Sequence, residues 1–263
     1  MFKKMSKILL GCFVLSLSSC QGAFESNLFT VIDNPTLPAT SDLSNASTAA
    51  VADLLSSDKV LESLKADDAA RKALTDNLAV KMTEGTAESK TEAANLYLKL
   101  QLEGTGALAA TNKMIETFLP ALKGGDLADL TVPAELQKAL ASVFGTDPGA
   151  VADTLEGLQN MVTALKVLNA NSALGENGDS VMAAPLATVV DIMLKSANDS
   201  ATGTQDLVDF ITGNSTELTS FSIPTMQNSL TELTTAFDGT DLAADSPYAY
   251  MNGVVDLIPL GGI

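Results

Sequence analysis

Few residues in this chain are equipped for chemistry, and the best spaced of them lie between Asn198 and Asp209. That segment, NDSATGTQDLVD, sets side-chain oxygens at positions 1, 3, 5, 9 and 12 around a glycine at position 6, the spacing with which a loop between two helices wraps a calcium ion. Asn198, Ser200, Thr202, Asp206 and Asp209 are the candidate ligands. Position 1 is Asn rather than Asp, position 12 is Asp rather than the longer bidentate Glu, and position 8 is Gln where an apolar residue belongs. Ligand charge sets calcium affinity, and only Asp206 and Asp209 are carboxylates. The segment therefore reads first as a polar loop with Thr204 capping the next helix, and no dedicated metal site is expected. A second short motif, Ser56-Ser57-Asp58-Lys59, has the serine-x-x-lysine spacing in which an amine activates a hydroxyl. No Lys-Thr-Gly strand accompanies it, and Ser57 or Asp58 makes equal sense as a helix cap.

The residues that are missing exclude more than those present suggest. The chain has 263 residues, with 15 Lys+Arg against 32 Asp+Glu, no His and no Trp. Without histidine there is no Ser-His-Asp or Cys-His arrangement, no imidazole metal site and no histidine pH switch. A net charge of -17 repels phosphate backbones, so nucleic acid is not an expected partner. Arg71 is the one arginine, which leaves anionic substrates without a clamp. A carboxylate-dependent hydrolase is the one enzymatic alternative, but clefts that cleave sugars lean on aromatic platforms and this chain offers three tyrosines. No cofactor and no catalytic residue is expected.

The elements that would carry any site read as helix upon helix. Thirty-six Ala and 38 Leu favour helix, and the alternating pattern of a half-buried strand does not occur. Ala70, Leu74, Leu78 and Met82 recur at four-residue steps between Asp67 and Met82. Further helices are predicted from Thr86 to Leu102, from Thr105 or Gly106 to Leu122 and from Pro133 to Phe144. The clearest begins at Asp147 as N-cap with Pro148 at the first position, and repeats Val151, Leu155, Leu158, Val162, Leu165 and Leu168. Then come Ser180 to Ala197, with Pro185 marking its true start or a kink, Thr204 to Thr212, Pro224 to Phe237 and an apolar C-terminal segment. Short loops make successive helices antiparallel neighbours, so the expected fold is all-α with little or no β. It is either an irregular bundle or a stack of helical hairpins of the tetratricopeptide kind. Tyr97, Ala109, Ala110, Phe118 and Pro120 echo that repeat, but no second copy shares their spacing.

The N-terminus supplies an address. Lys3, Lys4 and Lys7 precede an apolar run from Ile8 to Leu17, too short to span a bilayer. The run ends in Leu17-Ser18-Ser19-Cys20, which resembles the lipobox of bacterial lipoproteins. That resemblance implies cleavage of residues 1–19 as a signal peptide, a diacylglycerol on the sulfur of Cys20, and an acyl chain such as palmitate on the new N-terminus. Cys12 would leave with the signal, so no free thiol and no disulfide are expected in the mature chain. Loss of three lysines would leave 12 basic against 32 acidic residues, a net charge of -20. Position +2 is Gln21 rather than the aspartate that retains such proteins in the inner membrane, which implies the outer membrane in a diderm cell.

Residues 20–45, rich in Pro, Ser, Thr and Asn, read as a flexible tether, and 46–263 as one all-α domain. The expectation is a cell-envelope lipoprotein, held by its lipid and acting as a non-enzymatic binding or scaffolding module for a protein partner or an apolar ligand. A periplasmic accessory protein presenting a helical groove to a transporter component, and a surface adhesin, stand as alternatives.

Overall fold

The computed structural model describes residues 37–117, 133–176, 178–197, 200–218, 220–237 and 239–257. Within them the chain forms α1 (Thr40–Ser44), α2 (Thr48–Leu55), α3 (Asp58–Ala66), α4 (Asp68–Thr83), α5 (Ala87–Gly104), α6 (Ala107–Thr117), α7 (Pro133–Phe144) and α8 (Pro148–Ala170). A 3-10 turn at Leu174–Glu176 leads to α9 (Gly178–Lys195), α10 (Ser200–Thr212), α11 (Ile223–Phe237) and α12 (Tyr250–Leu257). The fold is all-α. Among the described residues the only β pairing is a single antiparallel bridge between Ala197 and Phe221.

Helix starts follow local chemistry. The first amides of a helix lack intrahelical acceptors, and a short oxygen-bearing side chain just before it supplies one. Asp67 does so for α4, accepting from the Ala70 amide at 2.9 Å, and Asp147 for α8, accepting from Ala150 at 2.8 Å. Thr86 caps α5 through Ser89 and Ser47 caps α2 through Ala50. Pro148 occupies the first turn of α8, where its missing N–H costs nothing. All six residues of the Val151 to Leu168 stripe are buried, as are Ala70, Leu74, Leu78 and Met82 of α4. Both stripes belong to the core.

The long helices α5 and α8 form the spine. α4 and α5 make one antiparallel hairpin, α8 and α9 another, and α5 lies against α8 although α6 and α7 intervene in sequence. The same step of three recurs where α1 meets α4, α6 meets α9 and α7 meets α10. A solenoid packs each repeat against its immediate neighbours, so these longer steps describe an irregular bundle. Small residues let the spine helices approach. Gly157 on α8 sits against the Thr105 side chain, which a Cβ at that position would strike. Thr154 donates to the carbonyl oxygen of Thr105 at 3.0 Å, and Gly106 turns the chain out of α5 with φ of 82°.

Three boundaries differ from the sequence reading. The end of the stretch read as tether is helical: Leu43 of α1 is buried, and the Asn77 amide of α4 donates to the carbonyls of Leu43 (2.8 Å) and Ala46 (3.0 Å). The domain therefore includes at least residues 40–45, because a buried side-chain amide satisfies the end of that short helix. Pro185 neither starts nor breaks α9, which runs from Gly178 through it; the ring is buried and removes only the ladder bond to Val181. α10 starts at Ser200 rather than Thr204, so Thr204 stands in its second turn and caps nothing. Phe118 and Leu122, expected to end α6, lie outside the described residues, as does Cys20.

The Gly157 contact gives a direct test. Gly157→Ala adds helix propensity but forces a methyl onto Thr105, so it should destabilise the protein by about 1–3 kcal/mol in denaturant titration. An increase in stability would contradict the close approach of α5 and α8.

Candidate functional site

Among the described residues, Arg71 gathers the most polar partners around one charged side chain. It projects from the first turns of α4 and is only 8 % exposed. Its Nη1 donates to the carbonyl oxygens of Leu64 and Lys65, both at 3.2 Å, which belong to the last turn of α3. Those carbonyls carry the negative end of the helix dipole, and the Leu64 oxygen also accepts from the Asp67 amide at 3.3 Å. Nη2 meets Asp68 Oδ1 at 2.8 Å on its own helix and Asp153 Oδ1 at 3.0 Å on α8. One guanidinium thus joins α3, α4 and α8.

Beside it lies a cleft of about 300 Å³ between α4, α5 and α8. Asp68, Arg71, Lys72, Thr75 and Asp76 line it from α4, Tyr97 and Gln101 from α5, and Asp153, Glu156 and Asn160 from α8. Four carboxylates face two cations. Lys72 is paired with Asp76 at 3.0 Å, and the Gln101 amide donates to the Thr75 hydroxyl at 3.0 Å. Burial pushes the Asp153 carboxyl up; Arg71 pulls it part of the way back, while Asp68 adds to the rise. Tyr97, 4 % exposed, is pushed up to about 12 by burial first and then by the charges of Asp76 and Glu156. Its phenol has no hydrogen-bond partner among the described residues. Within those residues no three carboxylates converge as a metal site would require. The arrangement suits recognition by charge and hydrogen bonding.

A second polar cluster closes the other end of the spine. The Tyr250 hydroxyl and Thr188 Oγ1 are 2.7 Å apart, and Thr188 donates to the Ala184 carbonyl at 2.7 Å. Lys195 pairs with buried Asp191 at 2.7 Å and stands 5.8 Å from the Tyr248 ring centroid, while Lys166 of α8 stands 6.0 Å from that of Tyr250. Burial pushes both tyrosines up and, with the Lys195 charge, holds the Lys166 amine down. These groups satisfy one another and fasten α12 onto α8 and α9.

The sites expected from sequence fare differently. Ser200, Thr202, Asp206 and Asp209 all fall within α10, where the backbone rises along an axis and does not wrap an ion. Asp206 accepts from the Ser220 hydroxyl, and Asp209 accepts from Gln205 at 3.0 Å. Asn198 lies outside the described residues. Ser56 ends α2, with its hydroxyl donating to the Asp53 carbonyl at 2.6 Å, and Lys59 lies in the first turn of α3. Ser57 is the N-cap residue of α3, though its side chain makes no capping bond. The cleft itself was not visible from spacing, because its walls come from three helices; the lone arginine was its one sequence signal.

Two outcomes follow. Because the Tyr97 value rises from 10.0 to about 12 on folding, its contribution to stability is full below pH 10 and is lost as pH climbs toward 12. Thermal melts across that window should show a shallower decline for Tyr97→Phe than for the native chain; an unchanged slope would contradict the burial. Calcium titration should leave the melting temperature essentially unchanged, whereas a saturable rise at micromolar calcium would restore the loop reading. No family model, curated protein or solved structure matches this chain, so the chemistry of its cleft rests on its own residues.

Proposed function

We propose that the chain is a lipid-anchored protein of the bacterial cell envelope whose helical domain works as a non-enzymatic binding or scaffolding module. The observation that carries this reading is the Leu17-Ser18-Ser19-Cys20 lipobox behind Lys3, Lys4, Lys7 and a short apolar run. Acyl chains on Cys20 would hold the protein without help from basic residues, which suits a chain of this acidity. About twenty residues separate Cys20 from α1, a reach of at most ~70 Å, enough to present the domain clear of the headgroups. Among the described residues no helix is long and apolar enough to cross a membrane.

Charge pairing supports the binding role over the hydrolase. A pair of catalytic carboxylates needs one acid kept protonated and one free, with room for a water or a nucleophilic attack between them. In the cleft, Asp68 and Asp153 are engaged by Arg71 and Asp76 by Lys72, which leaves Glu156 alone, not a pair of acids, without an ion pair among the described residues. The lining is also polar, which favours a polar partner over the apolar ligand expected from the helical stripes, since the described stripe residues are spent on the core.

Replacement of Cys20 by Ala tests the anchor. The native protein should sediment with membranes and the variant should appear in the soluble fraction; retention of the variant in membranes would overturn the lipoprotein reading.

A further inference from the structure

The cleft between α4, α5 and α8 holds more polar capacity than the fold uses. Tyr97 is 4 % exposed, lines the cleft and leaves its hydroxyl without a hydrogen bond among the described residues. The ring is buried while the hydroxyl is open to the cleft, where an entering ligand can bond to it. On the α8 wall of the same cleft, Glu156 and Asn160 make no side-chain hydrogen bond or ion pair among the described residues. Gln101, 2 % exposed, uses its amide nitrogen on Thr75, which leaves its carbonyl oxygen to accept.

The vacant groups are mostly acceptors, and the charge around them is negative. Arg71 and Lys72, the two cations of the wall, are neutralised by Asp68, Asp153 and Asp76, and Glu156 adds a further charge, for a net -2. A complementary ligand brings positive charge together with several N–H donors. An alkylammonium does both, since it offers three donors and no acceptor. A metal ion suits the site less well, because no three carboxylates converge among the described residues. Tyr97 remains protonated at neutral pH, so its oxygen accepts without adding a charge. A cavity of about 300 Å³ lies at the small end of ligand pockets and fits a short aliphatic chain.

We propose that this cleft binds a small aliphatic amine, with the ammonium held between Glu156 and the Tyr97 hydroxyl. The proposal rests on reading the domain as a non-enzymatic binding module, and is independent of the anchor. Calorimetric titration of the full-length protein in neutral detergent, with putrescine as probe, tests it. Saturable binding is expected, with none for the uncharged butanediol. Glu156→Gln, at an exposed position that leaves folding intact, should weaken it roughly tenfold, and Tyr97→Phe should weaken it as well. Glu92→Gln, an exposed acid of α5 outside the cleft, should bind as the native chain does. Absence of saturable heat would overturn the proposal, and so would equal weakening by Glu92→Gln and Glu156→Gln, which would show a diffuse acidic surface. Recovery of chemically altered putrescine would instead overturn the non-enzymatic reading on which the proposal rests.

Discussion

A buried guanidinium must be fully paired, and in this chain the demand falls on one residue. Arg71 cannot lose its proton, so its burial is tolerable only if every face of the charge meets an acceptor. Its two terminal nitrogens meet two backbone carbonyls at the end of α3, one carboxylate on α4 and one on α8. These partners fix how three helices meet. Removing one partner of such a buried pair costs about 3–5 kcal/mol in general, with less expected here because Asp153 is one-third exposed. The cleft lies between the Arg71–Asp153 pair that links α4 to α8 and the Gly157–Thr105 contact where α5 and α8 approach closely.

The acidity of the chain takes on a local meaning around this tie. Most of the described acidic residues are exposed, where their charge is solvated. Asp68, Asp76, Asp153 and Glu156 instead share one cleft, where the only two cations of the wall are already neutralised. The field inside is therefore negative beside a buried phenol. At the opposite end of the spine, Tyr248 and Tyr250 lie among groups that satisfy one another. Two of the three tyrosines thus close the fold, and one faces an opening.

How much was legible in the sequence followed the range of the interaction responsible. Caps act over three residues, so Asp67, Thr86 and Asp147 marked the starts of α4, α5 and α8 correctly. Periodic apolar spacing acts over a few turns, and the Val151 to Leu168 stripe marked one face of a helix that lies buried in the core. Where context over several turns decides, spacing misled. The oxygen-rich run from Ser200 to Asp209 resembles a loop by residue type, yet Leu207, Val208, Phe210 and Ile211 bury and draw it into a helix. Pro185 likewise sits within a helix whose neighbouring residues are buried. Contacts distant along the chain were beyond reach: nothing local ties Arg71 to Asp153, or picks Glu156 from the other acids.

Arg71 and Asp153 couple α4 to α8 across the cleft, and a double-mutant cycle measures that coupling. Arg71→Met and Asp153→Asn, alone and together, would be compared by denaturant unfolding. A coupling energy of about 1–3 kcal/mol is expected, with the double variant less destabilised than the sum of the single ones. Additivity within about 0.5 kcal/mol would contradict it, leaving the pair a surface contact without structural consequence.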